Sequence, residues 1–167
     1  SSTIASWSSW PAERLAADYT TGGHTGQIAG MALIPQIVDA VEIPVLAAGA
    51  IVDGRGLAAA LAFGAQGIWM GTRFIASHEA RAHEKYKKRI TEIEAEETRI
   101  TRSYSGKPMR VIRNAWTDDW EKRPDEIKPF PQQMAVSGRE MLLLGNPDEP
   151  LDPNRACMPC GQGAGAI

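Results

Sequence analysis

The chain has 167 residues, 43% of them hydrophobic, a composition that suits one globular domain. Lys and Arg number 18 against 20 Asp and Glu, a formal charge of −2, so there is no basic footprint for nucleic acid or an anionic membrane. No run approaches the roughly 18 apolar residues of a membrane helix. The Ser-rich start, SSTIASWSSWPAERLAADYTT, has no secretory n-region and h-region and no arginine before Arg14, so a cytoplasmic protein is expected.

In chain order, WPAERLAADYTT (residues 10–21) reads as helix and turn, and GGHTG (Gly22 to Gly26) follows as a glycine-flanked loop around His24. Residues 31–41 place Leu33, Ile37 and Val41 on one face beside Ile34 and Val38, which predicts a helix with Pro35 near its first turn. Val45-Leu46-Ala47-Ala48 is apolar on both faces, as in a parallel strand covered by helices. Asp53 is placed to cap a helix from Gly56 to about Phe63, with Gly64 just past its end. Ile68-Trp69-Met70 forms the next strand. A long charged helix is then predicted from Glu79 to Thr98, with Glu84 and Lys88 paired at i, i+4 and with His78 and His83 on its solvated face.

The alternation of strand, loop and helix predicts parallel α/β architecture. From Arg99 the periodicity fades into a cap-like insertion holding one extended segment, Met109 to Ile112. Trp116 and Trp120, four residues apart, are expected to pack that cap, and Ala135 to Leu144 reads as a helix. Cys157 and Cys160 in CMPC read as a redox pair, half a zinc site or incidental loop thiols. No second CxxC or HxxxH completes a zinc site, the stretch lacks the strand-then-helix setting of a redox motif, and loop thiols are preferred. The closing GQGAGAI (Gly161 to Ile167) is a glycine-rich turn expected to lead into a helix.

The chemistry concentrates at two strand ends. PVLAAGAIVDG and GIWMGTRF each run apolar and then stop at a small residue, Gly49-Ala50 and Gly71-Thr72. Such tips bring main-chain donors close to a phosphate, and Thr72 adds a hydroxyl. His24, with side-chain-free neighbours at Gly22, Gly23 and Gly26, is placed to face a cavity, and an imidazole near its ordinary pKa moves protons at neutral pH. Either glycine alone would read as a turn, and His24 alone as a ring bonded to loop backbone.

GGHTG, then ALIPQIVDAVEIPVLAAGAIVDGRGLAAALAFGAQGIWMGTRF, then AHEKYKKRI, closely resembles the FMN-dependent nitronate monooxygenases. The same signature occurs in the related flavin-dependent enoyl-[acyl carrier protein] reductases. SGKPMRVIRNAW, PFPQQ and GQGAG extend the resemblance from about Gly22 to the C-terminus. It implies a partial (β/α)₈ TIM barrel: residues 1–21 unmatched, 22–98 the C-terminal βα units, 99–160 the cap, and 161–167 the truncated start of the closing helix. It implies FMN as cofactor, with Gly49, Ala50, Gly71 and Thr72 on its phosphate, Gly22 near the flavin and His24 as the catalytic proton relay. Where the family usually has two glycines, this chain has Gly49-Ala50, a harmless change if φ stays negative there. The implied substrates are a nitronate and dioxygen, or alternatively an enoyl thioester and NAD(P)H. A whole barrel takes around 250 residues, so a third expectation is a fragment without catalysis of its own, pairing with a missing barrel half or with a second copy.

Overall fold

The computed structural model describes residues 14–142 and 148–167. The chain before Arg14, with the first part of WPAERLAADYTT, and the last two residues of the helix expected to end at Leu144 lie outside them.

Two three-stranded sheets organise the described residues. In the first, β1 (Arg14–Ala17), β3 (Val45–Ala48) and β4 (Gly67–Trp69) run parallel in the order β1-β3-β4. Here the structure corrects the helical part of the reading of residues 10–21, because Arg14–Ala17 is a strand registered residue for residue on Val45–Ala48, while the expected turn follows at Tyr19–Thr20. Leu-Ala-Ala favours helix locally, but a free edge on β3 offers four residues a complete ladder, and pairing overrides propensity.

Between the strands lie α1 (Gly30–Ala40) and α2 (Gly54–Ala62). Val45 and Ala47 face both helices in one cluster with Ile34, Ala60 and Ala65, while Leu46 and Ala48 alternate to the opposite face. The capping prediction holds: Asp53 accepts from Arg55 N and Gly56 N, and Gly64 adopts φ +90° just past the C-cap. Pro35 does not sit in the first turn. It is the sixth helical residue, so the Met31 carbonyl loses its i+4 donor, at a position where Met31 is 76% exposed.

The long helix expected over Glu79–Thr98 is absent. Thr72–Ile75 forms a four-residue α3, turns follow, and α4 runs only from Glu84 to Glu92. His83 is its N-cap, accepting from Lys85 N, and His78 lies in a turn, so neither histidine decorates a helical face. Glu84 pairs with Lys87, and Lys88 with Glu92, rather than with each other. The helix stops because Ile93 turns extended to bury itself, after which Thr98–Thr101, with β-branched residues at three of four positions, forms β5.

The second sheet is antiparallel, in the order β2 (Gly23–His24), β6 (Met109–Ile112), β5. The segment expected to be an irregular cap therefore contributes a hairpin, and its inner strand holds His24. On β6, Met109 and Val111 pack with Tyr104 and Cys157, while Ile112 joins Tyr86, Ile90, Met158 and Cys160. Buried Arg110 reaches the turn that follows β1 and donates to the Tyr19 carbonyl. Trp116 and Trp120 lie on α5 (Ala115–Trp120) with ring centroids 5.9 Å apart, and Trp116 stacks on Tyr104, as expected of packing residues. The helix predicted from Ala135 is broken at Gly138 (φ +47°) into α6 (Gln132–Ser137) and α7 (Arg139–Leu142).

Cys157 and Cys160 stand outside any helix or strand, in the loop-like stretch expected for them. Both are free and buried at about 1% exposure or less, because the CMPC stretch bridges onto β6 through Pro159. Gln162–Ala166 forms a 3₁₀ turn where a closing helix was expected, its glycines fitting close approaches to neighbouring backbone.

Candidate functional site

Register decides where the strand tips fall. Ala17 pairs with Ala48, and Ala48 with Trp69, so Asp18, Gly49 and Met70 leave the sheet side by side at its C-terminal rim. A cleft of about 280 Å³ opens there, and Gly22, His24, Gly49, Ala50, Gly71 and Thr72 all line it. The sequence-stated candidates thus meet in one place, although they come from three loops. No Lys, Arg, Asp or Glu belongs to the described lining. Any anion held there is met by main-chain amides, a hydroxyl and an imidazole.

The glycines have different duties. A Cβ on Gly49 (φ +134°) would fall on the Asp18 carboxylate, and one on Gly22 would lie 2.8 Å from Gly161 N. Both are required by packing inside the protein. At Gly71 a Cβ would meet nothing within 4 Å, so the small residue there leaves space on the cleft side. Ala50 has φ +48°, so the condition under which its methyl is harmless, a negative φ, is not met. Its Cβ sits in the left-handed region at a cost of about 1–2 kcal/mol. The Thr72 hydroxyl accepts from Gly161 N at 3.0 Å and neighbours the Cys160 thiol, so it anchors the C-terminal segment. Since α3 is one turn long, its dipole is small, and individual N–H groups matter more here.

His24 is not held by loop backbone. It lies on β2, registered opposite Met109, with Nε2 2.9 Å from Ser105 Oγ. Its ring meets Phe130 edge-on at 6.4 Å, and Lys107 Nζ stands 4.1 Å from the same phenyl centroid. Partial burial, and then the Lys107 charge, hold the imidazole below its ordinary pKa of 6.5, so the ring is neutral and basic at pH 7.

Three contributors escaped sequence reasoning. Asp18, 4% exposed, accepts from both Thr20 N and Thr20 Oγ1 and braces the β1 and β3 tips. Ser105, fully buried, holds the imidazole. Pro159, Gly161 and Gly163 form the far wall. The Tyr86 hydroxyl donates to Pro159 O, Cys160 N to Arg110 O and Gln162 N to Thr20 O, and a Cβ on Gly163 would crowd Ala50 O at 2.9 Å. The alternating glycines of GQGAG were the available signal for that wall.

The nitronate monooxygenase family profile matches residues 6–150, most of the chain. The chain belongs to the nitronate monooxygenase family. That family comprises flavin-dependent oxidoreductases. A Bacillus subtilis protein named "Probable nitronate monooxygenase" is 40% identical over 125 residues, covering 70% of this chain and 36% of that protein. The structure of FabK from Thermotoga maritima superposes with a TM-score of 0.77 at 33% identity, over 93% of this chain and 49% of that one. Nitroalkane oxidase from Streptomyces ansochromogenes gives 0.79 at 28% identity, over 92% and 46%. The chain thus spans 33–39% of the first curated relatives it matches and about half of these solved chains. Among the described residues no helix is long and apolar enough to cross a membrane, and no cluster of His, Cys, Asp or Glu is arranged to hold a metal ion.

Proposed function

We propose that the cleft binds FMN through its phosphate, and that the enzyme to which this chain belongs oxidises alkyl nitronates with dioxygen. One observation supports this above the rest: Gly49-Ala50 and Gly71-Thr72 end adjacent parallel strands at the same rim and share one cleft with His24. The residues fit the group. Gly71 leaves open space, Thr72 adds a hydroxyl to the wall, and the uncharged lining suits a phosphate held by main-chain donors. Gly22, packed on Gly161, shapes the wall next to the flavin. FMN, when bound, supplies the redox chemistry by which electrons from the substrate reach dioxygen.

The chain's own part is orientation and proton handling. A neutral nitroalkane must lose its α-proton before it can be oxidised, and His24 is the base within the cleft. A preformed nitronate has already lost that proton and needs only to be positioned. His24→Asn is therefore expected to keep FMN bound, to lower neutral-nitroalkane oxidation by ~10²-fold or more, and to spare the nitronate. Equal losses on both substrates would remove His24 from the role.

A second reading is favoured by the FabK likeness: hydride transfer from NAD(P)H through FMN to an enoyl thioester. Oxygen uptake with propyl-2-nitronate against NAD(P)H oxidation with a crotonyl thioester separates the two, and turnover of the thioester alone would replace the first. In both readings the three parallel strands form part of a (β/α)₈ barrel, with β1 and β4 as open edges among the described residues and Trp69 55% exposed. The remaining barrel strands are the partner such edges call for, and without them the chain is the non-catalytic fragment. A yellow, monodisperse preparation would argue against the fragment; a colourless, aggregating one that gains nothing from added FMN would support it.

A further inference from the structure

Ser105 lies between β5 and β6 and is fully buried, although the imidazole it touches reaches an exposed position. Its hydroxyl oxygen has three polar neighbours: His24 Nε2 at 2.9 Å, the Lys107 backbone nitrogen at 3.2 Å and the Lys107 backbone oxygen at 3.3 Å. A hydroxyl has one proton to give and two lone pairs with which to accept. The Lys107 amide can only donate and the Lys107 carbonyl can only accept. The amide therefore occupies one lone pair, and the hydroxyl proton has two takers, the Lys107 carbonyl and Nε2. Given to the carbonyl, it leaves one lone pair for the imidazole, and Nε2 then carries the hydrogen.

We propose that Ser105 is a positioning residue that fixes His24 as its Nε2–H tautomer, leaving Nδ1 as the ring atom that takes the substrate proton. This rests on the reading of His24 as the proton relay. In the step itself, the α-C–H bond of a neutral nitroalkane breaks and its proton bonds to Nδ1. The electron pair stays on the substrate, which becomes the nitronate. The ring becomes an imidazolium with both nitrogens protonated, and the Nε2–H donation to Ser105 Oγ is unchanged. No hydroxyl rotates and no second proton moves. Were Ser105 to donate to Nε2 instead, the ring hydrogen would sit on Nδ1, both ring nitrogens would be committed, and the Lys107 carbonyl would lose its donor. The Lys107 ammonium, over the phenyl ring that His24 meets edge-on, favours the uncharged ring in which a tautomer is defined.

The test is ¹⁵N–¹H correlation spectroscopy of the full chain labelled at histidine, with the His24 signals assigned by their disappearance in His24→Asn. Wild type is expected to show a pyrrole-type Nε2 and a pyridine-type Nδ1. In Ser105→Ala the two signals should move toward a tautomer average, and Ser105→Thr should restore them. With FMN bound, Ser105→Ala should lower kcat on a neutral nitroalkane by about five- to ten-fold, one hydrogen bond's worth, and lower oxidation of preformed nitronate by a clearly smaller factor. A wild-type ring protonated at Nδ1, or a tautomer indifferent to Ser105→Ala, overturns the assignment. Should the alanine variant fail to fold, the wild-type spectrum still decides. The His24→Asn kinetics test the relay separately.

Discussion

Gly71→Ala separates a glycine kept for a ligand from one kept for the fold. Its backbone (φ −105°, ψ −67°) is open to any L-residue, and a Cβ would meet no heavy atom within 4 Å. The apo protein should therefore be unharmed, or gain about 0.4–1 kcal/mol from a stiffer unfolded chain. If a phosphate rests on this tip, the methyl occupies its approach and at least one charge-assisted main-chain bond is lost. Such a bond is worth about 1.5–3 kcal/mol, roughly a 10- to 150-fold rise in FMN Kd. Gly49→Ala is the contrast. It places a Cβ on the Asp18 carboxylate at φ +134°, so overpacking and left-handed strain together should cost about 2–5 kcal/mol of apo stability. Flavin-fluorescence titration measures the affinities, and urea unfolding without FMN measures the stabilities. A Gly71→Ala protein of unchanged FMN affinity would refute the phosphate position, and a stable Gly49→Ala would refute the division of roles.

Ala50→Gly should relieve a left-handed residue and, after the entropy of the added glycine, stabilise the chain by about 0.5–1 kcal/mol in urea; a loss of stability would show that φ +48° carries no strain. Because His24 titrates below its ordinary value, neutral-nitroalkane kcat/KM should rise with pH through an inflection below 6.5 and be flat above it. Lys107→Met should move that inflection upward; an inflection above 6.5 in wild type would contradict the site's electrostatics. The same depression disfavours folding only below about pH 6.5, where the unfolded imidazole protonates first. Burial pushes the Cys160 thiol up to about 12 and the Cys157 thiol higher still, so neither should react with an alkylating agent at pH 8 until the chain is unfolded. Rapid labelling of the native protein would place them outside the core.

Legibility tracked the range over which each element is decided. Asp53, the alanine-rich α2, Gly64 and the apolar run of β3 carry their instructions within a few residues, and both boundaries and tips could be read from them. Arg14–Ala17 is a strand only because Val45–Ala48 lies alongside, a fact held some 30 residues away. Charge density carried the predicted helix past Ile93, where burial of one side chain outweighs propensity. The cleft was half visible: its tips and imidazole declare themselves by glycine spacing. Ser105 reaches His24 across 81 residues and Gly161 reaches Thr72 across 89, so only pairing of β6 with β2 and the bridge at Pro159 reveal them.

That last connection has a kinetic consequence. The cleft is bounded by residues near 20, 50, 70 and 160, so none of its walls can be raised by a local folding event. Closing loops of such length is slow compared with forming a helix. During refolding, helical ellipticity should return first and, with the cleft holding flavin as proposed, the ability to quench it only when the final wall docks, which makes that ligand a clock for the end of assembly.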